Sequence, residues 1–184
     1  MTTSSAQRIE GTDFELRSVT PQDWELAKCV RLAALADTPD AFEATLAEEL
    51  QVPESSWRAR AQENAAGRTS RCFLAQREGV PCGMAVGVLN ESTQRVTLNA
   101  MWVAGNVRRR GLGRALVRAV CDWARERGAV GVDLEVTQSS RSARALYAAL
   151  GFTPLASQPQ TTCGARKSPA ERMQLTFSAS PPCT

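Results

Sequence analysis

Hydrophobic and polar positions alternate along FELRSV, Phe14 to Val19, with the two-residue period of a strand. Thr20, Pro21 and Asp23 then open a helix, in which Trp24, Ala27, Cys29, Leu32 and Leu35 suit a buried face. The segment ADTPDAF, Ala36 to Phe42, breaks it. A second helix is expected over Asp40 to Leu50, and a third from near Pro53, through Trp57, to Gly67. Helices placed this way after a single strand form a lid or side wall. Strands follow at Cys72 to Gln76, Cys82 to Leu89 and Arg95 to Val103, joined by a Glu78-Gly79 turn and by Asn90 to Thr93, which predicts an antiparallel meander. Leu112, Ala115, Leu116, Ala119 and Trp123 recur at helical spacing up to Arg127, and Gly128 stops that helix.

Val130 to Val136 is a short apolar strand. Ser139 or Ser140 caps a further helix with the stripe Ala143, Leu146, Tyr147 and Leu150, closed by Gly151, and Phe152 begins another strand. Residues Pro154 to Ala170, rich in Pro, Ser, Thr and Gln, predict a long loop before the alternation of Met173, Leu175 and Phe177. The order is a strand with helices, then β-β-β-α-β-α-β-β. It describes an α/β chain, a mixed sheet with helices on both faces. A length of 184 residues fits one domain. We expect a flexible leader over 1–12, the domain over 13–178 and a disordered tail over 179–184.

Composition narrows the chemistry. The net charge of +3 is too small to make the whole molecule a polyanion binder. The charge is uneven, however: between Met101 and Gly128 stand seven arginines against Asp122 and Glu126. The start, MTTSSAQRIEG, lacks a signal-peptide core, and no apolar run approaches the roughly 18 residues that span a bilayer. A cytoplasmic protein with no membrane partner is expected. Six cysteines without a Cys-x-x-Cys pair read as free thiols. The chain has no histidine, which removes Ser-His and Cys-His nucleophile pairs and imidazole-dependent zinc sites, so no metal is expected.

The arginines concentrate in VRRRGLGRALVRAV, Val107 to Val120. A strand ending at Val103, a turn, two glycines and a helix start make an anion site: the first helical N–H groups have no internal partners, and the dipole favours negative charge. A Walker loop requires Gly-Lys-Ser/Thr, which is missing, and a dinucleotide fingerprint requires glycine at 116, which is leucine. A nucleic-acid surface would interleave aromatics with the arginines, and this one does not.

The pattern Arg108-x-x-Gly111-x-Gly113 resembles the pyrophosphate loop of the GCN5-related N-acetyltransferases. MWV (Met101 to Val103), ARALYAALGF (Ala143 to Phe152), and LADTPDAF with Glu48, Glu49 and Trp57 extend the likeness, in the order of one bacterial branch, over roughly Phe14 to Phe177. The resemblance implies a mostly antiparallel sheet splayed between its fourth and fifth strands, Arg95 to Val103 and Val130 to Val136. It also implies acetyl transfer from acetyl-CoA to an amine. It places the pantetheine arm along Met101, Trp102 and Val103, with Ser140 and Ala143 beside it. It places the pyrophosphate on Arg108, Arg109, Arg110, Gly111, Leu112, Gly113 and Arg114. A homodimer is compatible with it.

The resemblance also assigns Tyr147, the only tyrosine in the chain, as the acid that protonates the departing thiolate. A phenol is mostly protonated at neutral pH. The acceptor has the opposite need, since an alkylammonium must lose a proton before it attacks a thioester. Many relatives place a glutamate six residues before the position of Val103, where this chain has Thr97. Thr97 and Asn99 share a strand face and can hold a water that relays the proton. Glu43 and Glu135 are carboxylate candidates for the same task. Phe42, Glu43 and Trp57 are expected to bound the acceptor pocket, for an amine of a small molecule or a peptide. A module that binds CoA without turnover is the competing reading.

Overall fold

A computed structural model describes residues 6–155 and 169–178. One eight-stranded sheet runs through them. Its strands are β1 (Gln7–Arg8), β2 (Phe14–Ser18), β3 (Ser70–Arg77), β4 (Val80–Asn90), β5 (Arg95–Val103), β6 (Gly131–Thr137), β7 (Thr153–Pro154) and β8 (Ala170–Thr176). The spatial order is β1-β2-β3-β4-β5-β6-β8-β7, and every pairing is antiparallel except β5 with β6. The crossover between those two strands is the helix α4 (Leu112–Glu126), as a parallel pair requires. Part of the segment expected as a flexible leader joins the sheet, with Gln7 opposite Leu16 and Arg8 opposite Glu15. The tail over 179–184 and most of the expected loop, 156–168, lie outside the described residues.

The two faces of the sheet carry different cores. On one, α4 buries Leu112, Leu116, Val117, Val120 and Trp123 against Val96, Leu98, Val132 and Leu134. The helix α5 (Arg141–Ala149) adds Tyr147 to the same core. On the other face, α1 (Trp24–Asp37) sets Val30, Ala34 and Leu35 with Phe42, Met84 and Trp102. The expected stripe on α1 needs correction, because Cys29 is exposed and Val30 and Ala34 occupy the buried positions, four apart.

The second helix is shorter than expected. Pro39–Ala41 forms a 3-10 turn and Phe42 is extended, so α2 covers only Leu46–Leu50. Its start is set by a capping box: Thr45 N donates to Glu48 Oε2 at 2.7 Å, and Glu48 N to Thr45 Oγ1 at 3.2 Å. The next helix, α3 (Glu54–Ala66), has the expected bounds. Ser140 holds the N-cap position of α5, but its side chain makes no capping bond. Its ψ of 70° differs from the 160° of Thr45, where the hydroxyl does reach back to the helix.

Candidate active site

The parallel ladder between β5 and β6 pairs Arg95 with Gly131 and ends at Leu98 with Leu134. Beyond that point the strands part, leaving Asn99–Val103 with a strand partner on the β4 side alone. An irregularity accompanies the parting. Met84 opposes Trp102 while Val86 opposes Asn99, so two residues of β5, Ala100 and Met101, stand against Ala85. Ala100 takes a left-handed φ of 49°. The extra residue reverses the alternation, so Leu98 faces α4 whereas Trp102, four residues on, faces α1.

A cavity of about 1040 Å³ occupies this opening. Thr97, Asn99, Met101, Trp102, Val103, Arg108, Arg109, Gly111, Gly113, Arg114, Ser140, Ala143 and Tyr147 line it, together with Phe42 and Glu43 of the lid. Three of the expected residues do not. Trp57 is buried in α3, with the Arg60 guanidinium 4.8 Å from its ring. Leu112 turns its side chain into the core, at 1% exposure, and contributes only backbone to the helix mouth. Arg110 is exposed and does not line the cavity.

The helix mouth has the form of an anion site. Gly111, the N-cap of α4, has a φ of +86°, and nothing stands within 4 Å of where a Cβ would be. At Gly113 a Cβ would meet Leu146 Cδ2 at 3.1 Å and Met101 Cε at 3.4 Å, so this glycine lets α4, α5 and β5 converge. The first internal bond of α4 runs from Ala115 N to Gly111 O, and the N–H groups of Leu112, Gly113 and Arg114 precede it. Arg108, which lines the cavity, also bonds to the protein itself. Its Nε donates to Val103 O at 2.8 Å and its Nη2 to Asp37 at the end of α1. Asp37 Oδ2 also accepts from Trp102 Nε1 at 2.9 Å. A carboxylate at a helix C-terminus opposes the dipole and needs such partners.

Tyr147 lies at the inner wall, 5% exposed, its ring tilted against Phe152 at 5.8 Å between centroids. Burial pushes its phenol well above the ordinary value, so the hydroxyl keeps its proton through the neutral range. On the far side of the opening Asp133 is held by Arg95 at 2.7 Å, and Arg172 stands 3.9 Å from Glu135. Arg31, Asp133 and Arg172 were missed from the sequence, and Asp37 was included only as part of LADTPDAF. Each belongs to an element whose polar residues are ordinary for a solvated face, and no spacing marks it. Among the described residues no cluster suits a metal ion, and no helix is long and apolar enough to cross a membrane.

A sheet that parts beside a glycine-bounded helix mouth defines the acyl-CoA acyltransferase class of fold. The model of the "Acetyltransferase (GNAT) family" matches residues 35–152, and the chain belongs to that family. Streptothricin acetyltransferase from Streptomyces lavendulae is 39% identical over 84 residues, 45% of this chain and 44% of the relative. The chain thus matches under half the length of that curated relative. The crystal structure of nourseothricin acetyltransferase is 32% identical with a TM-score of 0.53, covering 59% of this chain and 65% of that one. A putative acetyltransferase from Salmonella typhimurium, solved with its cofactor acetyl-CoA, superposes over 92% of this chain and 96% of its own. Its TM-score of 0.73 at 19% identity speaks for the fold alone.

Proposed function

We propose that this protein is a cytoplasmic N-acetyltransferase that moves acetyl from acetyl-CoA to an amine of a small molecule or a peptide, by direct attack within a ternary complex. The observation that carries this reading is the end of the parallel ladder at Leu98 and Leu134, which opens the sheet into a cavity that the mouth of α4 and Tyr147 also line. The residues present fit the cofactor. Open space over Gly111 and the unpaired amides of Leu112, Gly113 and Arg114 suit a pyrophosphate, with Arg109 and Arg114 adding charge. The unpaired edge at Met101–Val103 suits an extended amide-bearing arm.

Bound acetyl-CoA supplies an acyl group activated as a thioester. Tyr147 holds a proton at Oη for the leaving sulfur, and its burial keeps that proton in place. Thr97 and Asn99 line the acceptor side of the gap and orient a water that takes the ammonium proton outward. The lid, with Phe42 buried at 7% exposure, excludes bulk water from the amine. The described cysteines, all free, agree with a reducing compartment. Thr97 in place of a carboxylate favours a second reading, a CoA-binding module without turnover.

A free-thiol assay decides between the two. Acetyl-CoA is presented with an amine panel that includes a streptothricin, diamines, amino acids and short peptides, alongside intact-mass analysis for self-acetylation. Amine-dependent thiol release supports the enzyme. CoA binding without release from any amine leaves the module.

A further inference from the structure

At the lid end of the cavity, away from the helix mouth, α1 presents a cation that the reading above does not use. Arg31 lines the cavity and its side chain is 14% exposed. Its guanidinium lies 4.7 Å from the centroid of the Phe42 ring, which fixes its plane. Among the described residues its ion pair is with Glu49, 3.5 Å from Nε. That carboxylate is shared, because Arg60 Nη1 donates to it at the closer distance of 2.9 Å. Arg31 Nη1 is buried and has no hydrogen-bond partner among the described residues.

An arginine keeps its charge even when burial disfavours it. A guanidinium that lines the cavity while sharing its carboxylate with Arg60 is under-compensated, and an anion seated in the cavity adds the missing charge. We infer that the acceptor is an amine that also carries a carboxylate, and that Arg31 holds this carboxylate against the lid while the amine faces the gap between β5 and β6. A carboxylate fits better than a phosphate, since one under-compensated charge and one planar fork match a group with a single charge and two coplanar oxygens.

This assignment deepens the acetyltransferase reading and rests on it for the direction of the amine. Its test is therefore a binding measurement as well as a kinetic one. Lysine against 1,5-diaminopentane, and phenylalanine against 2-phenylethylamine, are pairs that differ by one carboxylate. Each is titrated calorimetrically into CoA-saturated protein and then assayed for acetyl-CoA-dependent thiol release. The carboxylate-bearing member of each pair is expected to bind roughly tenfold tighter or more, the worth of a charge-assisted bond. Arg31→Gln is expected to erase that preference, Arg31→Lys to keep part of it, and both to leave CoA affinity unchanged. Equal binding within the pairs, or a preference that survives Arg31→Gln, overturns the inference. Absence of thiol release with an intact, Arg31-dependent preference would sink the catalytic reading and leave the carboxylate site standing.

Discussion

Among single residues, Tyr147 and Gly111 carry the sharpest expectations. Tyr147→Phe removes one hydroxyl and little volume from a buried ring, so CoA affinity should hold while kcat falls by roughly a hundredfold or more, the usual worth of a positioned acid. Unchanged kinetics from pH 6 to 9 would reject the role. The sign of the pH dependence follows from the same burial. With the phenol pushed upward, Tyr147 stays protonated throughout that range, and the wild-type rate should climb with pH as the acceptor ammonium loses its proton. Gly111→Val forces a branched side chain into a φ of +86°, a strain of about 1–2 kcal/mol, and also fills the open space above the helix mouth. CoA affinity measured by titration should drop at least severalfold, and equal affinity would move the pyrophosphate elsewhere. Both positions were singled out in the chain, Gly111 by a glycine pair ahead of a helix and Tyr147 by the resemblance that ARALYAALGF carries.

For the elements, the informative contact joins α1 to the cofactor loop. Asp37 accepts from Trp102 of β5 and from Arg108, whose Nε in turn holds Val103 O. The lid and the loop are thereby tied through one carboxylate. Asp37→Asn removes the charge that Arg108 faces but keeps the shape. Its expected effect is a severalfold rise in the KM for acetyl-CoA with a smaller change in kcat; an equal loss in both would mean general destabilisation. Neither the tie nor the shortened α2 could be read from spacing. Asp37 lies 65 residues from Trp102 and 71 from Arg108, and the helix expected from Asp40 gives way to an extended Phe42 pinned in the second core. The meander, α4 and β6 were legible from apolar runs and periods between turn residues, and α3 from Pro53 and Gly67 at its two ends.

At the level of the whole molecule, acid stability has an identifiable contributor. Arg17 grips Asp23 with bonds of 2.6 and 2.7 Å, joining β2 to the turn before α1. The Arg17 guanidinium, helped by Thr20, lowers the Asp23 pKa to about 2. A carboxyl whose folded value lies below its unfolded value of 3.8 stabilises the fold at any pH above that value. The contribution is lost as pH falls toward about 2. Thermal melts should therefore show wild type losing stability across pH 4 to 2 more steeply than Asp23→Asn, while the two curves converge at the acid end. Parallel curves over that window would remove Asp23 from the account.

Periodicity, punctuation by glycine and proline, and one dense motif were enough to determine the class of fold, the order of most strands and helices, and the position of the glycine-bounded helix mouth. These are properties of neighbouring residues, set by backbone geometry and by which side of an element must be dry. Only the tertiary structure decided that Trp57 lies away from the cavity, that Arg108 ties Val103 to Asp37, and that Arg31 lines the lid end while sharing Glu49 with Arg60. A polar side chain's task depends on which distant group reaches it first, and that is settled by how the sheet parts and the helices close over it.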